Sequence, residues 1–159
     1  WNEEYNLPPH SIEAVVYGGL DADIARVIYD RKAGGIQTVG SETVPVLSAS
    51  QQSIEVHFSR PDPVDIYIQI SGLKTNSNFA GPDTIVQALT NYIGGSASGG
   101  LEIGEDVIYI AIPGVIMDVA GVVDFKLGIG TKAGEYSENN IEIGIRQKAV
   151  TSEEMVVIS

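Results

Sequence analysis

Between Ser53 and Ser71 the chain alternates apolar and polar residues almost without exception. Ile54, Val56 and Phe58 are interleaved with Glu55, His57 and Ser59. After Arg60-Pro61-Asp62-Pro63 the alternation resumes, with Val64, Ile66, Ile68 and Ile70 against Asp65, Tyr67, Gln69 and Ser71. A period of two places the aliphatic side chains on one face of a pleated strand. Two prolines remove two ladder donors, so the break predicts a corner and the whole stretch predicts a β-hairpin. Its apolar face calls for a covering helix.

Helical patterns occur on both sides of this stretch. Asp21 is placed to cap a helix with Asp23 near its positive end, Ile24, Ala25 and Ile28 inward, and Gly34-Gly35 as its stop. Pro82 opens a second helix in which Ile85, Ala88, Leu89, Tyr92 and Ile93 recur at helical spacing, ending at Gly94-Gly95. A third, shorter helix is predicted from Pro113 to Ala120, closed by Gly121, with Asp106 to Ala111 before it as an apolar strand or helix start.

Further strands are predicted at Ser11 to Tyr17, at Glu42 to Ser48, around Val123 to Ile129, at Ile141 to Ile145 and at Met155 to Ile158. Pro45 makes the second of these an edge strand. Lys74 to Phe79 and Gly130 to Asn140 read as polar loops. The sum is an α+β fold: short antiparallel β-sheets with two or three covering helices. Residues 1–10 read as a linker or arm from an upstream domain, and 11–159 as the folded part. The Gly-rich loop 94–100 is a place to divide that part into two subdomains.

Composition narrows the function classes. The 159 residues are 43% hydrophobic, enough for a core that buries about 68–70% of the unfolded surface. Twenty-one acidic residues against 9 basic ones give a formal charge of −12, which argues against nucleic acid and against anionic membrane as partners. No cysteine is present, so neither a disulfide nor a thiolate metal site is expected. The apolar run Val107 to Val123 is broken by Pro113, Gly114, Asp118 and Gly121. It reads as core, and no membrane insertion is expected.

Chemistry-bearing residues are few. His57, two residues before Ser59, reads as a solvated strand residue, because no nucleophile-elbow pattern surrounds the serine. His10 sits in the Pro-rich arm. Glu102, Glu105 and Asp106 follow the Gly-rich loop, but their spacing is not that of a calcium loop and they read as an acidic turn. Gly128-Ile-Gly-Thr-Lys-Ala-Gly134 matches neither dinucleotide nor P-loop spacing. Tyr67 and Gln69 on the outer face of the hairpin are candidate contacts for sugar or protein. No catalytic, cofactor-binding or metal-binding residue is assigned.

Several segments, taken in order, carry a resemblance. They are Leu7-Pro-Pro-His-Ser-Ile-Glu-Ala-Val-Val-Tyr-Gly-Gly19, Asp23-Ile24-Ala25, Lys32-Ala-Gly-Gly-Ile-Gln-Thr-Val-Gly40 and Phe58-Ser-Arg-Pro61. Later come the helix from Pro82, Leu101-Glu-Ile-Gly104, Val119-Ala-Gly-Val122 and Asn139-Asn-Ile-Glu-Ile143. Together they resemble the C-terminal portion of the baseplate J-like family, wedge proteins of Mu-like contractile phage tails, prophage remnants and tailocins. The positions matched most directly are Gly18-Gly19, a tight turn into a helix, and Phe58 to Pro61, a corner.

The resemblance implies a structural, non-enzymatic component of the virion's tail baseplate, assembled with other baseplate and tail proteins and relaying the contraction signal. A homodimer or ring-forming homo-oligomer is expected, joined in part by exposed strand edges such as the Pro45 strand or the last strand. Members of the family carry an upstream domain that this sequence lacks. Two other classes compete: a glycan- or receptor-binding module of a tail tip, and a tail-associated hydrolase using Glu102 to Asp106.

Overall fold

A computed structural model describes residues 7–95 and 99–159. The fold is α+β, with three α-helices and short sheets both mixed and antiparallel. The chain forms two compact units, Trp1–Pro61 and Asp62–Ser159. The division therefore falls in the proline-rich break, and the described flanks of the loop at 94–100 lie inside the second unit.

Unit one contains β1 (Ser11–Glu13), α1 (Asp21–Arg31), β2 (Gln37–Val39), β3 (Glu42–Leu47) and β4 (Ser53–Phe58). β1 and β2 pair in parallel, Ser11 opposite Gln37. β3 and β4 pair antiparallel from Glu42 opposite Phe58 to Leu47 opposite Ser53. The turn between them is closed by Ser48, whose amide donates to the Gln52 carbonyl at 2.9 Å and whose hydroxyl accepts from the Gln52 amide at 3.0 Å. α1 covers this hairpin with Ala25, which is fully buried with Val46 and Val56; Ile28, Tyr29 and Val44 pack around them.

The predicted capping of α1 is corrected. Leu20 stands at the N-cap without a side-chain hydrogen bond, and Asp21 is the first helical residue. The helix stops at Lys32, whose extended backbone donates its amide to Ile28, before Gly34-Gly35 is reached. The strand expected to reach Tyr17 ends at Glu13; beyond it a single parallel bridge joins Val15 to Ser59.

Unit two contains β5 (Asp62–Asp65), β6 (Tyr67–Thr75), α2 (Pro82–Ile93), α3 (Ala111–Met117), β7 (Val122–Lys132), β8 (Glu135–Ser137), β9 (Gln147–Val150) and β10 (Val156–Ile158). A 3₁₀ turn at Glu153–Met155 precedes β10. The main sheet has the order β10-β6-β7-β8, with β10 parallel to β6 and the other pairs antiparallel. β5 pairs in parallel with β9.

The predicted hairpin over 53–71 does not form. β4 pairs with β3, and β6 pairs with β7 and β10, in separate sheets of separate units. The alternation is a true record of strands, but it carries no information on which strand each one meets. β4 finds its partner through the Ser48–Gln52 turn, which contains no proline, whereas Pro61 and Pro63 each remove a donor at the predicted corner. Asp62–Asp65 becomes a strand of its own because β5 is an edge, where Pro63 is tolerated. Beside the expected antiparallel pairs, β1-β2, β5-β9 and β6-β10 pair in parallel.

Other boundaries shift. β6 extends to Thr75, into the expected Lys74–Phe79 loop, and β8 occupies part of the expected Gly130–Asn140 loop. The alternation at Ile141 to Ile145 makes only one bridge, Ile141 with Val107; the strand lies later, at β9. The third helix starts two residues before Pro113 and ends at Met117.

Ile66 between β5 and β6, Ile68 and Ile70 of β6, Leu127 and Ile129 of β7, Ile85, Leu89 and Ile93 of α2, and Ile112 and Ile116 of α3 form one continuous core in unit two. Full burial of each such aliphatic side chain contributes roughly 1.5–3 kcal/mol. Asp83 occupies the first turn of α2, favourable to the helix dipole, and Pro82 supplies a φ suited to the helix start.

Candidate functional site

Two of the segments that carry the family resemblance in unit one, Leu7–Gly19 and Phe58–Pro61, meet at Arg60. Val16 donates its amide to the Ser59 carbonyl at 2.9 Å, and Ser59 donates its own to Ala14 at 2.8 Å. This short parallel contact brings Arg60 against the Gly18-Gly19 turn. Both glycines have φ near +70°, a region L side chains rarely adopt, so their carbonyls point where other residues could not easily place them.

The Arg60 guanidinium exploits that arrangement. Nη1 donates to the carbonyls of Val16, at 3.0 Å, and of Gly18. Nη2 donates to the Gly19 carbonyl at 3.0 Å and to Oδ1 of Asp21. The guanidinium carbon also lies 5.3 Å from the centre of the Phe58 ring, within range of a cation–π contact. A planar fork of donors suits this multidentate grip, which a lysine ammonium cannot reproduce. Asp21, expected as a cap, instead neutralises the arginine that fastens the start of its own helix.

Ser59 and His57 lie beside the clamp and serve the fold. The Ser59 hydroxyl donates to Oε1 of Glu13 at 2.6 Å and accepts the Ser41 amide at 3.2 Å. Its proton is thus directed to a carboxylate. His57 Nδ1 lies 3.0 Å from the Thr43 hydroxyl, its cross-strand neighbour, and its backbone amide donates to Thr38 Oγ1 at 3.0 Å. His10 adopts φ 55°, and its carbonyl accepts the Gln37 amide at 2.9 Å, setting β1 against β2. The remainder of the expected arm, residues 1–6, lies outside the described residues.

In unit two the acidic cluster is a set of turn locks. Glu105 Oε2 accepts the Glu102 amide at 2.7 Å, and Asp106 Oδ1 accepts the Ile143 amide at 2.7 Å. Among the described residues, no group of three His, Cys, Asp or Glu side chains is placed to hold a metal ion. No helix among them is long and apolar enough to cross a membrane.

The glycines of 128–134 are explained by close packing of β7 on β8. A Cβ at Gly130 would lie 1.9 Å from the Glu135 carbonyl oxygen, and one at Gly128 would lie 2.9 Å from Tyr136 Cβ. Gly134 makes the turn with φ +85°. Tyr67 and Gln69 stand opposite these two glycines on β6, Tyr67 half-buried and Gln69 exposed.

Two features were not singled out from sequence. Lys148, 3% exposed, directs its ammonium at the carbonyl of Leu101 and lies 3.4 Å from that of Gly99, tying β9 to the end of the Gly-rich loop. Nothing in the sequence hinted at its burial, because a lysine alone predicts a surface position. The second is a cleft of about 500 Å³ lined by Asp83, Gln87 and Asn91 of α2 and by Thr151, Ser152 and Glu153. Its lining, which also includes Val86 and Thr90, mixes polar and apolar surface and contains neither histidine nor an aromatic residue.

Neither a protein-family model nor a curated protein matches this sequence.

Proposed function

We propose that this chain is a structural component of a contractile-tail baseplate, a wedge element that works through protein contacts and relays the contraction signal. The observation that supports the reading is the Arg60 clamp. It joins Phe58-Ser-Arg-Pro61 to the Gly18-Gly19 turn, the two segments on which the resemblance rests most directly, and ties both to Asp21. Segments separated by some forty residues thus act as one structural feature, which suits a rigid element transmitting displacement.

In this reading the partners are other baseplate and tail proteins and further copies of the chain, in a homodimer or ring, and the place of action is the virion's tail. The test is localisation. Tail particles induced from the source bacterium are purified, labelled with antiserum against residues 1–159 and imaged. Label at the baseplate is the expected result. Intact tails without label, with the protein present in the same extract, overturn the reading. Incubation with cell-wall sacculi separates it from the hydrolase alternative: turnover abolished by Glu105→Gln would replace the structural reading with an enzymatic one.

A further inference from the structure

The two edges of the main sheet in unit two differ. β8 is protected: Glu135 pairs across to Lys132, both charged, and the register of β7 against β8 shifts between Ile129 and Lys132. Charges and irregular register are the ordinary means by which a sheet edge avoids pairing with another chain. β3 of unit one, the other edge expected to pair, carries Glu42 and Pro45. β10 carries none of these devices. It is Val156-Val157-Ile158, with no charge, proline or bulge.

The ladder shows what this edge offers. Ser159 donates its amide to Ile70 at 2.9 Å, and its carbonyl accepts from Gly72 at 3.0 Å. Backbone groups alternate in direction along a strand, so Val157 also faces β6, while Ile158 turns its amide and carbonyl away from it, as Val156 does its carbonyl. The Val156 amide is taken by Glu153 in the 3₁₀ turn. Among the described residues the sheet order ends at β10. Val157 is 45% exposed on one face, while Val156 and Ile158 meet the core on the other. An added strand would thus find a side-chain surface on both faces.

We propose that β10 is a docking edge for an extended segment of another protein, one with alternating apolar residues and a lysine or arginine at the end beside Glu153 and Glu154. Those two exposed glutamates immediately precede the edge and set the sign of the partner. A second copy of this chain would bring the same carboxylates and a further charge of −12, so a basic segment of a different protein is the better complement. The proposal stands on the sheet geometry and does not depend on the baseplate reading.

The test uses the full chain and a fluorescein-labelled peptide of two lysines followed by alternating valine and threonine. Binding is read by anisotropy, and its place by amide hydrogen exchange. The expected result is binding that slows exchange of the Ile158 amide by about tenfold or more and leaves β8 unchanged. Replacing the peptide's lysines with glutamates should abolish it. Ile158→Pro removes the outward donor without removing a ladder bond to β6, and should abolish binding; the lost Ile158 packing lowers the melting temperature while circular dichroism shows the fold retained. Should that variant fail to fold, Val157→Lys, at an exposed position, should weaken binding instead by repelling the peptide's lysines. Protection elsewhere, equal binding of the glutamate peptide, or an Ile158 amide already protected in a dimer seen by sedimentation overturns the proposal.

Discussion

A Cβ placed on Gly40 would lie 2.1 Å from the carbonyl carbon of Phe58. The backbone of the segment after β2 therefore lies directly on the end of β4, and only a residue without a side chain fits. Gly40→Ala should destabilise unit one by at least the 1–3 kcal/mol typical of overpacking, about the lower bound where backbone must move. Gly34→Ala is the control, because its Cβ would meet nothing within 4 Å and its φ is not positive. Urea titration of both variants, followed by circular dichroism, should show a lowered midpoint for the first alone.

The clamp makes a second prediction, about which of its contacts matters. Arg60 donates to three carbonyls and one carboxylate. Asp21 is 55% exposed, so its ion pair is weakened by water and salt. Asp21→Asn should cost under about 1 kcal/mol. Arg60→Ala should cost more, about 2 kcal/mol, because several carbonyls lose a charged donor. Arg60→Lys should recover only part, since a single ammonium cannot span the fork. Equal losses for Asp21→Asn and Arg60→Ala would show that the ion pair, rather than the carbonyl set, holds the turn.

These two sites also show what was legible in the chain. α2 was readable almost to the residue, because Pro82, the spacing of Ile85, Leu89 and Ile93, and Gly94 agree at every level. β3, β4, β6 and β7 were readable as strands from alternation. Their partners were not, since period two records which face is buried and says nothing of register or neighbour. The 53–71 stretch misled for this reason. β2 and β9 are only 3 and 4 residues long, too short for a pattern to emerge. At the clamp, Gly18-Gly19 and Arg60 each stood out as corners, but the bonds between them span forty residues, a distance at which a single sequence carries no pairing signal. Lys148 was missed because its burial depends on carbonyls that only the folded chain assembles around it.

The acidic turn of unit two divides into two locks of different expected strength. Asp106 accepts the amide of Ile143, a buried residue, whereas Glu105 accepts the exposed Glu102 amide in its own turn. Removing an acceptor hurts most where water cannot replace it. Asp106→Ala should lower stability by about 1–3 kcal/mol, and Glu105→Ala by less. Thermal melts of the two variants, with exchange rates at the Ile143 and Glu102 amides, check the order. Faster exchange confined to Ile143 is the expected signature for Asp106→Ala.

The pair of Lys74 and Asp124 supplies the pH prediction. They are cross-strand neighbours on β6 and β7, 2.6 Å apart and both exposed. The hydrogen bond from Lys74 and its charge hold the Asp124 carboxyl below its ordinary 3.8. The same bond, and the carboxylate charge, hold Lys74 above its ordinary 10.5. A depressed carboxyl pKa contributes stability above 3.8, lost as pH falls through the lower folded value; a raised lysine pKa contributes below 10.5, lost as pH rises through the higher one. The pair therefore acts across the whole interval between those values and gives no slope near neutrality. Lys74→Gln should return the Asp124 titration, followed by its carboxyl carbon resonance, toward 3.8. High salt should move the wild type in the same direction by screening. A carboxyl that titrates identically in the variant would mean that β7's own surroundings, and not the lysine across the strand, set its acidity.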